Sequence, residues 1–238
     1  MYGHVQKTPD SCTFQSFRYQ ADKISPLLTD EDKERFHSVT AQLLYLAKRV
    51  RPDLLVAVAF LTKRVSAPEK CDQGKLVLAI QYLKDMGIVL EAQQNSSILA
   101  YVDASYGVHK DLKSHTGCVI GIGRGPVYLK SMGQKLNTKS STEAELVALS
   151  DSTSQVIWTR NFLEEQGFKM GPATVYQDNV SMIALVKNGK SNSDRTRHIA
   201  IRFFFVADRV ASKVIKIEYM PTGKMIADIL TKPFQGVS

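Results

Sequence analysis

The sequence predicts an α/β fold: a mixed five-stranded sheet flanked by helices and preceded by a small helical segment. Three observations lead there. The apolar rhythm changes at about Ser96, from helical spacing to short runs of strand length. From that point the elements read β-β-β-α-β-α-α-β-α, an antiparallel start followed by parallel additions. Four acids, Asp103, Glu145, Asp178 and Asp228, fall at the ends of predicted elements, and open α/β folds build their sites at the carboxyl edge of the sheet.

The elements follow in order. Residues 1–33 read as an irregular arm, polar and interrupted by Pro9 and Pro26. A helical segment covers 34–95. Its first helix shows apolar residues at helical spacing over 36–47, and Pro52 opens the next, over 53–61. A third helix is expected over 74–86, with Leu76, Leu78, Ile80, Leu83 and Met86 loosely on one face. No acid or histidine cluster marks this half, so it reads as structural or substrate-supporting. The sheet domain occupies 96–235. Strands are expected at 98–103, 116–122 and 126–132, the last two joined by Gly123-Arg124-Gly125. A long helix follows over 141–166, broken or bent near Ser150-Asp151-Ser152. Then come a strand at 173–177, a helix at 179–187, a basic turn and helix at 194–211, a strand at 214–219 and a last helix at 223–231.

Composition sets the class. The chain has 238 residues, 44% apolar and 23% charged, as in ordinary soluble globular proteins. Its net charge of +8 suits a polyanionic partner, since lysine and arginine neutralise phosphates. Cys12, Cys71 and Cys118 are far apart and lack a CxxC pair, so they read as reduced, packed thiols in a cytoplasmic setting rather than a zinc site. No apolar run approaches the roughly 18–20 residues of a membrane span. Residues 1–7 lack the hydrophobic stretch of a signal peptide.

The acids carry the chemistry. Carboxylates that converge repel one another unless divalent cations neutralise them. Mg²⁺ takes oxygen ligands, and two such ions about 4 Å apart can clamp a phosphodiester for in-line attack by water. The reading is a metal-dependent nuclease. Asp103 could be a turn residue, but small Ala104 and Ser105 behind it leave room for a metal and a phosphate. With Ser140 as N-cap, Glu143 completes a capping box and Glu145 is free for the metal; with Thr142 as cap the roles exchange. Asp178 precedes a helix, where aspartate also serves as N-cap, and both roles can coexist through different oxygens. Asp228 lies in the first turns of the final helix, where it could be a surface charge. Gly121-Ile122-Gly123-Arg124-Gly125 opens no helix and reads as a hairpin turn, not a dinucleotide fingerprint. No nucleophile elbow surrounds any serine that could join His109 or His115 in a hydrolase triad.

Short strings sharpen this. Ser140-Ser141-Thr142-Glu143-Ala144-Glu145, Trp158-Thr159-Arg160, Asp178-Asn179, Arg195-Thr196-Arg197-His198-Ile199 and Ala227-Asp228-Ile229-Leu230-Thr231-Lys232-Pro233 resemble the ribonuclease H domain of copia-type retrotransposon polyproteins. Leu43-Leu44-Tyr45-Leu46-Ala47, Arg51-Pro52-Asp53-Leu54 and Gln81-Tyr82-Leu83-Lys84 resemble the thumb or connection segment of reverse transcriptase that precedes it. The resemblance runs from about Phe36 to Phe234. It implies a ribonuclease H-like fold and cleavage of the RNA strand of RNA–DNA hybrids, leaving a 5′-phosphate and a 3′-hydroxyl. It further implies two Mg²⁺, replaceable by Mn²⁺, on Asp103, Glu145 and Asp178 with Asp228 assisting. The polymerase domain of the same polyprotein is the implied partner, in the cytoplasm or a virus-like particle, with no membrane. Arg195, Arg197 and His198, with Arg202 nearby, would contact the hybrid backbone, which needs positive charge without base readout; otherwise they are a solvated helix face. The chain departs from the family's His-Ile-Asp with His198-Ile199-Ala200, and Phe203-Phe204-Phe205 replaces a more polar segment. That departure supports a second reading, a non-catalytic nucleic-acid-binding or supporting module. Tyr101-Val102-Asp103-Ala104 resembles a polymerase Tyr-X-Asp-Asp loop, but Ala104 stands where the second aspartate is needed.

Overall fold

The computed structural model describes residues 25–83, 97–123, 125–188 and 197–232. Helix α1 (Asp30–Arg49) begins inside the stretch read as an irregular arm. Thr29 caps it by accepting from the Asp32 amide, and Asp30, Glu31 and Asp32 place negative charge at the positive end of its dipole. Such a polar first turn has no apolar periodicity to reveal it. Pro52 opens a 3₁₀ turn (Pro52–Leu54) that runs into α2 (Leu55–Thr62), which is buried almost all round. Helix α3 (Lys70–Gln81) starts earlier than expected because Glu69 and Asp72 form a capping box ahead of the first buried apolar residue, Leu76. It ends at Gln81 with Tyr82 as C-cap, short of the expected Met86, and residues 84–86 lie outside the described residues.

One sheet holds the five strands β1 (Ile98–Ser105), β2 (His115–Ile122), β3 (Pro126–Gly133), β4 (Ala173–Gln177) and β5 (Ile215–Tyr219), in the order β3-β2-β1-β4-β5. The first three are antiparallel, and β4 and β5 add in parallel. This is the ribonuclease H-like arrangement expected. Gly123 and Gly125, both at positive φ, turn the β2–β3 hairpin, as read from the sequence.

Three helices complete the sheet domain: α4 (Ser141–Glu165), α5 (Val180–Asn188) and α6 (Arg197–Ala211). Where a break or bend was expected near Ser150-Asp151-Ser152, α4 runs on as one helix from Ser141 to Glu165. Ser150, Ser152 and Thr153 face the interior, and the Thr153 hydroxyl donates to the Leu149 carbonyl at 2.8 Å, so the polar run is absorbed within the helix. Asp151 faces outward to an ion pair with Arg202, which ties α6 to α4. The expected last helix is instead two 3₁₀ turns, Thr222–Lys224 and Ile226–Leu230. Ala227 and Leu230 are the buried pair of the second turn, and their spacing of three suits a three-residue repeat.

Alternation along β1 splits the core in two. Ile98, Ala100 and Val102 join Leu146, Leu149, Met182, Ile199 and Phe203 under α4, α5 and α6. Tyr101, with Val119, Leu129 and Tyr176, meets α1, α2 and α3 together with Met225, Ala227 and Leu230. The helical segment therefore closes the opposite face of the sheet. Of the cysteines, Cys118 is buried as expected, Cys71 is exposed rather than packed, and Cys12 lies outside the described residues.

Candidate metal centre

Asp103 lies within β1 rather than after it, because pairing continues to Ser105 opposite His115. Its partner across the ladder is Gly117. A Cβ at Gly117 would stand 2.7 Å from Thr231 Cγ2 and 2.8 Å from the Ala227 carbonyl. Only glycine lets the Ile226–Leu230 turn settle this close to the strand. The turn delivers the Thr231 hydroxyl, which donates to Asp103, while Ser105 Oγ donates to the Thr231 carbonyl at 3.1 Å.

Helix α4 supplies the second carboxylate. Ser140 is its N-cap and accepts from the Glu143 amide at 3.2 Å. The Glu143 carboxylate accepts from the Lys139 amide at 2.7 Å, so it is engaged at the helix start. Glu145 is 5% exposed and accepts from Gln177 Nε2 at 3.1 Å. The other end of that amide, Gln177 Oε1, accepts from the Asp178 backbone N–H at 2.9 Å. One buried glutamine thus fixes two of the acids. Asp178 is not the cap of α5; Asn179 is, accepting from the Met182 amide at 3.0 Å. Asp178 Oδ2 instead accepts from the Thr222 hydroxyl at 2.7 Å.

Oxygens of Asp103, Glu145 and Asp178 lie within 4.8 Å of one another. Asp228 stands outside this set. Its Oδ1 pairs with Lys232 Nζ at 2.8 Å, four residues on, and its side chain is a quarter exposed. Its charge still reaches Asp103. Burial pushes Glu145 up to about 9, and the charges of Asp103 and Asp178 push the same way against the weaker help of Gln177. Burial likewise lifts Asp103 to about 6, opposed by the Thr231 hydroxyl and raised further by Asp228. Two buried acids that resist ionising, Glu145 and Asp103, with the Asp178 carboxylate beside them, present only oxygen and match the donor set of a hard divalent cation.

Of the basic cluster, only Arg202 has a described side chain. Arg195 lies outside the described residues, and Arg197 and His198 form the start of α6. Arg202 is occupied by Asp151. Ile199 and Phe203 turn inward, whereas Phe204 is exposed. Sequence reasoning missed Gly117, Gln177, Thr222 and Thr231. Gln177 had one usable signal, a polar residue ending an otherwise apolar strand directly before Asp178.

No family model matches the chain. Curated relatives do. The Pol polyprotein from transposon RE2 of Arabidopsis thaliana is 32% identical over 212 residues, 87% of this chain. That from transposon TNT 1-94 of Nicotiana tabacum is 30% identical over 217 residues, 88% of this chain. The Ty1-JR1 Gag-Pol polyprotein of Saccharomyces cerevisiae is 25% identical over 214 residues, 86% of this chain. The chain belongs to the copia-type Pol polyproteins. It spans 14%, 16% and 12% of those three relatives' own lengths, so it corresponds to a segment of a copia-type polyprotein. Among solved structures it is similar to LC11-RNase H1 (16% identity, TM-score 0.44, 56% of this chain and 91% of that one). It is also similar to the foamy viral protease-reverse transcriptase in complex with RNA/DNA hybrid (17% identity, TM-score 0.41, 68% of this chain and 26% of that one).

Proposed function

We propose that this copia-type segment is a ribonuclease H that hydrolyses the RNA strand of RNA–DNA hybrids during reverse transcription, working beside the polymerase domain of its polyprotein. The observation that carries the reading is the convergence of Asp103, Glu145 and Asp178 at one end of β1 and β4. These three would hold two Mg²⁺ or Mn²⁺, with Asp228 assisting from the sheet's edge. Bound there, the cations supply Lewis-acid activation of water and neutralise charge on the phosphodiester. The chain's own residues orient and hold. Thr231 fixes the rotamer of Asp103, Gln177 that of Glu145, and Thr222 that of Asp178. Lys232 pairs with Asp228 and its charge reaches Asp103, which limits the negative charge gathered there.

The test is cleavage of a labelled RNA strand in a hybrid, with Mg²⁺ and with EDTA. The expected result is metal-dependent fragments bearing 5′-phosphate and 3′-hydroxyl ends. A second reading, a non-catalytic hybrid-binding module, is favoured by Ala200 standing where the family has aspartate. Tight hybrid binding without cleavage at any Mg²⁺ or Mn²⁺ concentration would select it.

A further inference from the structure

A cleft of about 380 Å³ lies between α2, α3 and the loop from β1 to β2. Lys63, Arg64, Lys75 and Lys110 line it against Asp72 and Asp111, leaving an excess of two positive charges on its walls. The acids do not hold these cations equally. Asp72 is nearly fully buried and takes Arg64 at 3.3 Å and Lys75 at 3.5 Å. At the other wall, Lys63 meets half-exposed Asp111 at 3.8 Å, near the outer limit of ion pairing, and Asp111 holds Lys113 more closely, at 3.0 Å. Lys63 is seated over Gly133, where any Cβ would collide with its ammonium end. Burial lowers the pKa of Lys63, and Asp111 only partly offsets that. A cation desolvated in this way gains from an anion that enters the cleft.

The cleft is wired to the metal centre. His109, in its wall, meets His115 Nδ1 through Nε2 at 2.9 Å, and His115 Nε2 meets Ser131 Oγ at 2.8 Å. Ser131 donates to the Leu230 carbonyl at 2.7 Å, and the next residue, Thr231, holds Asp103. Cleft and centre are thus built on one hydrogen-bonded frame, and the lining loop leaves β1 just beyond Asp103.

We propose that this cleft is a phosphate subsite that takes a backbone phosphodiester of the substrate, separate from the scissile one, so that helical segment and sheet grip the polymer together. Cationic walls whose arginine and buried aspartate are spent on each other suit a contact that positions and does not select sequence. The proposal rests on the nuclease reading only for the identity of the polymer. Its test is the affinity of the full chain for a labelled RNA–DNA hybrid in Ca²⁺ at several salt concentrations. The double variant Lys75→Gln, Lys110→Gln should bind about tenfold more weakly near 0.1 M salt, with a log–log salt slope shallower by about one. Asp111→Asn removes a competing anion and should tighten binding severalfold, a change of sign that a purely structural role does not produce. Parental affinity and slope in the double variant would overturn the subsite. Tripolyphosphate binding that the double variant loses, with hybrid affinity intact, would overturn the polymer assignment in favour of a free polyphosphate. The two readings fail separately. Weakened binding in the double variant of a chain that cleaves no hybrid keeps the subsite and removes the nuclease; cleavage with unaltered binding does the reverse.

Discussion

Glu143 and Glu145 show how much a single residue's surroundings decide. They are two positions apart on α4, yet Glu143 spends its carboxylate on the Lys139 amide at the helix start. Glu145 is buried against Gln177 beside two other acids. Glutamine in place of Glu143 keeps an acceptor for that amide, so Glu143→Gln should cost no more than about 0.5 kcal/mol and leave hybrid cleavage within a few-fold of the parent. Glu145→Gln, Asp103→Asn and Asp178→Asn keep size and lose charge. Each should lower cleavage at least about a hundredfold while retaining the parent's circular dichroism and its hybrid binding in Ca²⁺. Turnover rates of the four variants side by side check this, and equal losses at Glu143 and Glu145 would show that the site is drawn in the wrong register.

At the level of elements, the sheet was legible because strands of alternating or continuous apolar residues leave a strong period, and all five strands lie within two residues of their expected bounds. The bounds that shifted are those set by capping. Asp30–Asp32 and the Glu69–Asp72 box start helices with polar residues that carry no periodicity. The last element was misread as an α-helix because Ala227 and Leu230 fit a helical stripe as well as a 3₁₀ turn. Three acids of the site could be named from their places at element ends; the groups that hold them could not. Gln177 and Thr231 meet the acids across 32 and 128 residues of sequence, and no local pattern encodes such a contact. Gly117 is the clearest case, since its reason is a turn more than a hundred residues away. Gly117→Ala should destabilise the fold by about 1–3 kcal/mol, because Cβ meets backbone at Ala227 as well as a side chain. It should also lower cleavage more than hybrid binding by lifting Thr231 from Asp103. Urea midpoints together with kcat and hybrid affinity test both halves, and a variant as stable and active as the parent would show that the turn is free to move.

Across the whole molecule, the sheet is held between two apolar layers, and Asp103 and Glu145 are buried with it. The fold therefore carries a cluster of carboxyls that it destabilises when they ionise. For Glu145 the folded pKa, about 9, lies above the ordinary value of 4.5. Between those limits the folded chain holds a proton that the unfolded chain has lost, so stability is full below about 4.5 and is lost as pH rises towards 9. Asp103, lifted to about 6, behaves alike over a lower window that ends before neutrality. His109 and His115 act in the opposite sense: burial lowers them to about 4 and about 3, so their stabilisation is present above 6.5 and lost on acidification. From pH 7 to 8 Glu145 dominates, and buried Cys118, raised from 9.0 to about 11, adds a slope of the same sign only as pH nears 9. In EDTA the unfolding free energy should fall from pH 7 to 8 by up to about 1.4 kcal/mol per pH unit, the value for one proton. Glu145→Gln should flatten that slope. Mg²⁺ should oppose it in the parent, since the cation favours the ionised carboxylates and adds stability that grows with pH. Urea titrations of parent and variant at pH 7, 8 and 9, with and without Mg²⁺, measure all of these together. Identical slopes for parent and Glu145→Gln in EDTA would mean that this carboxyl is already ionised at neutral pH, and the case for a cation drawn by its burial would fall.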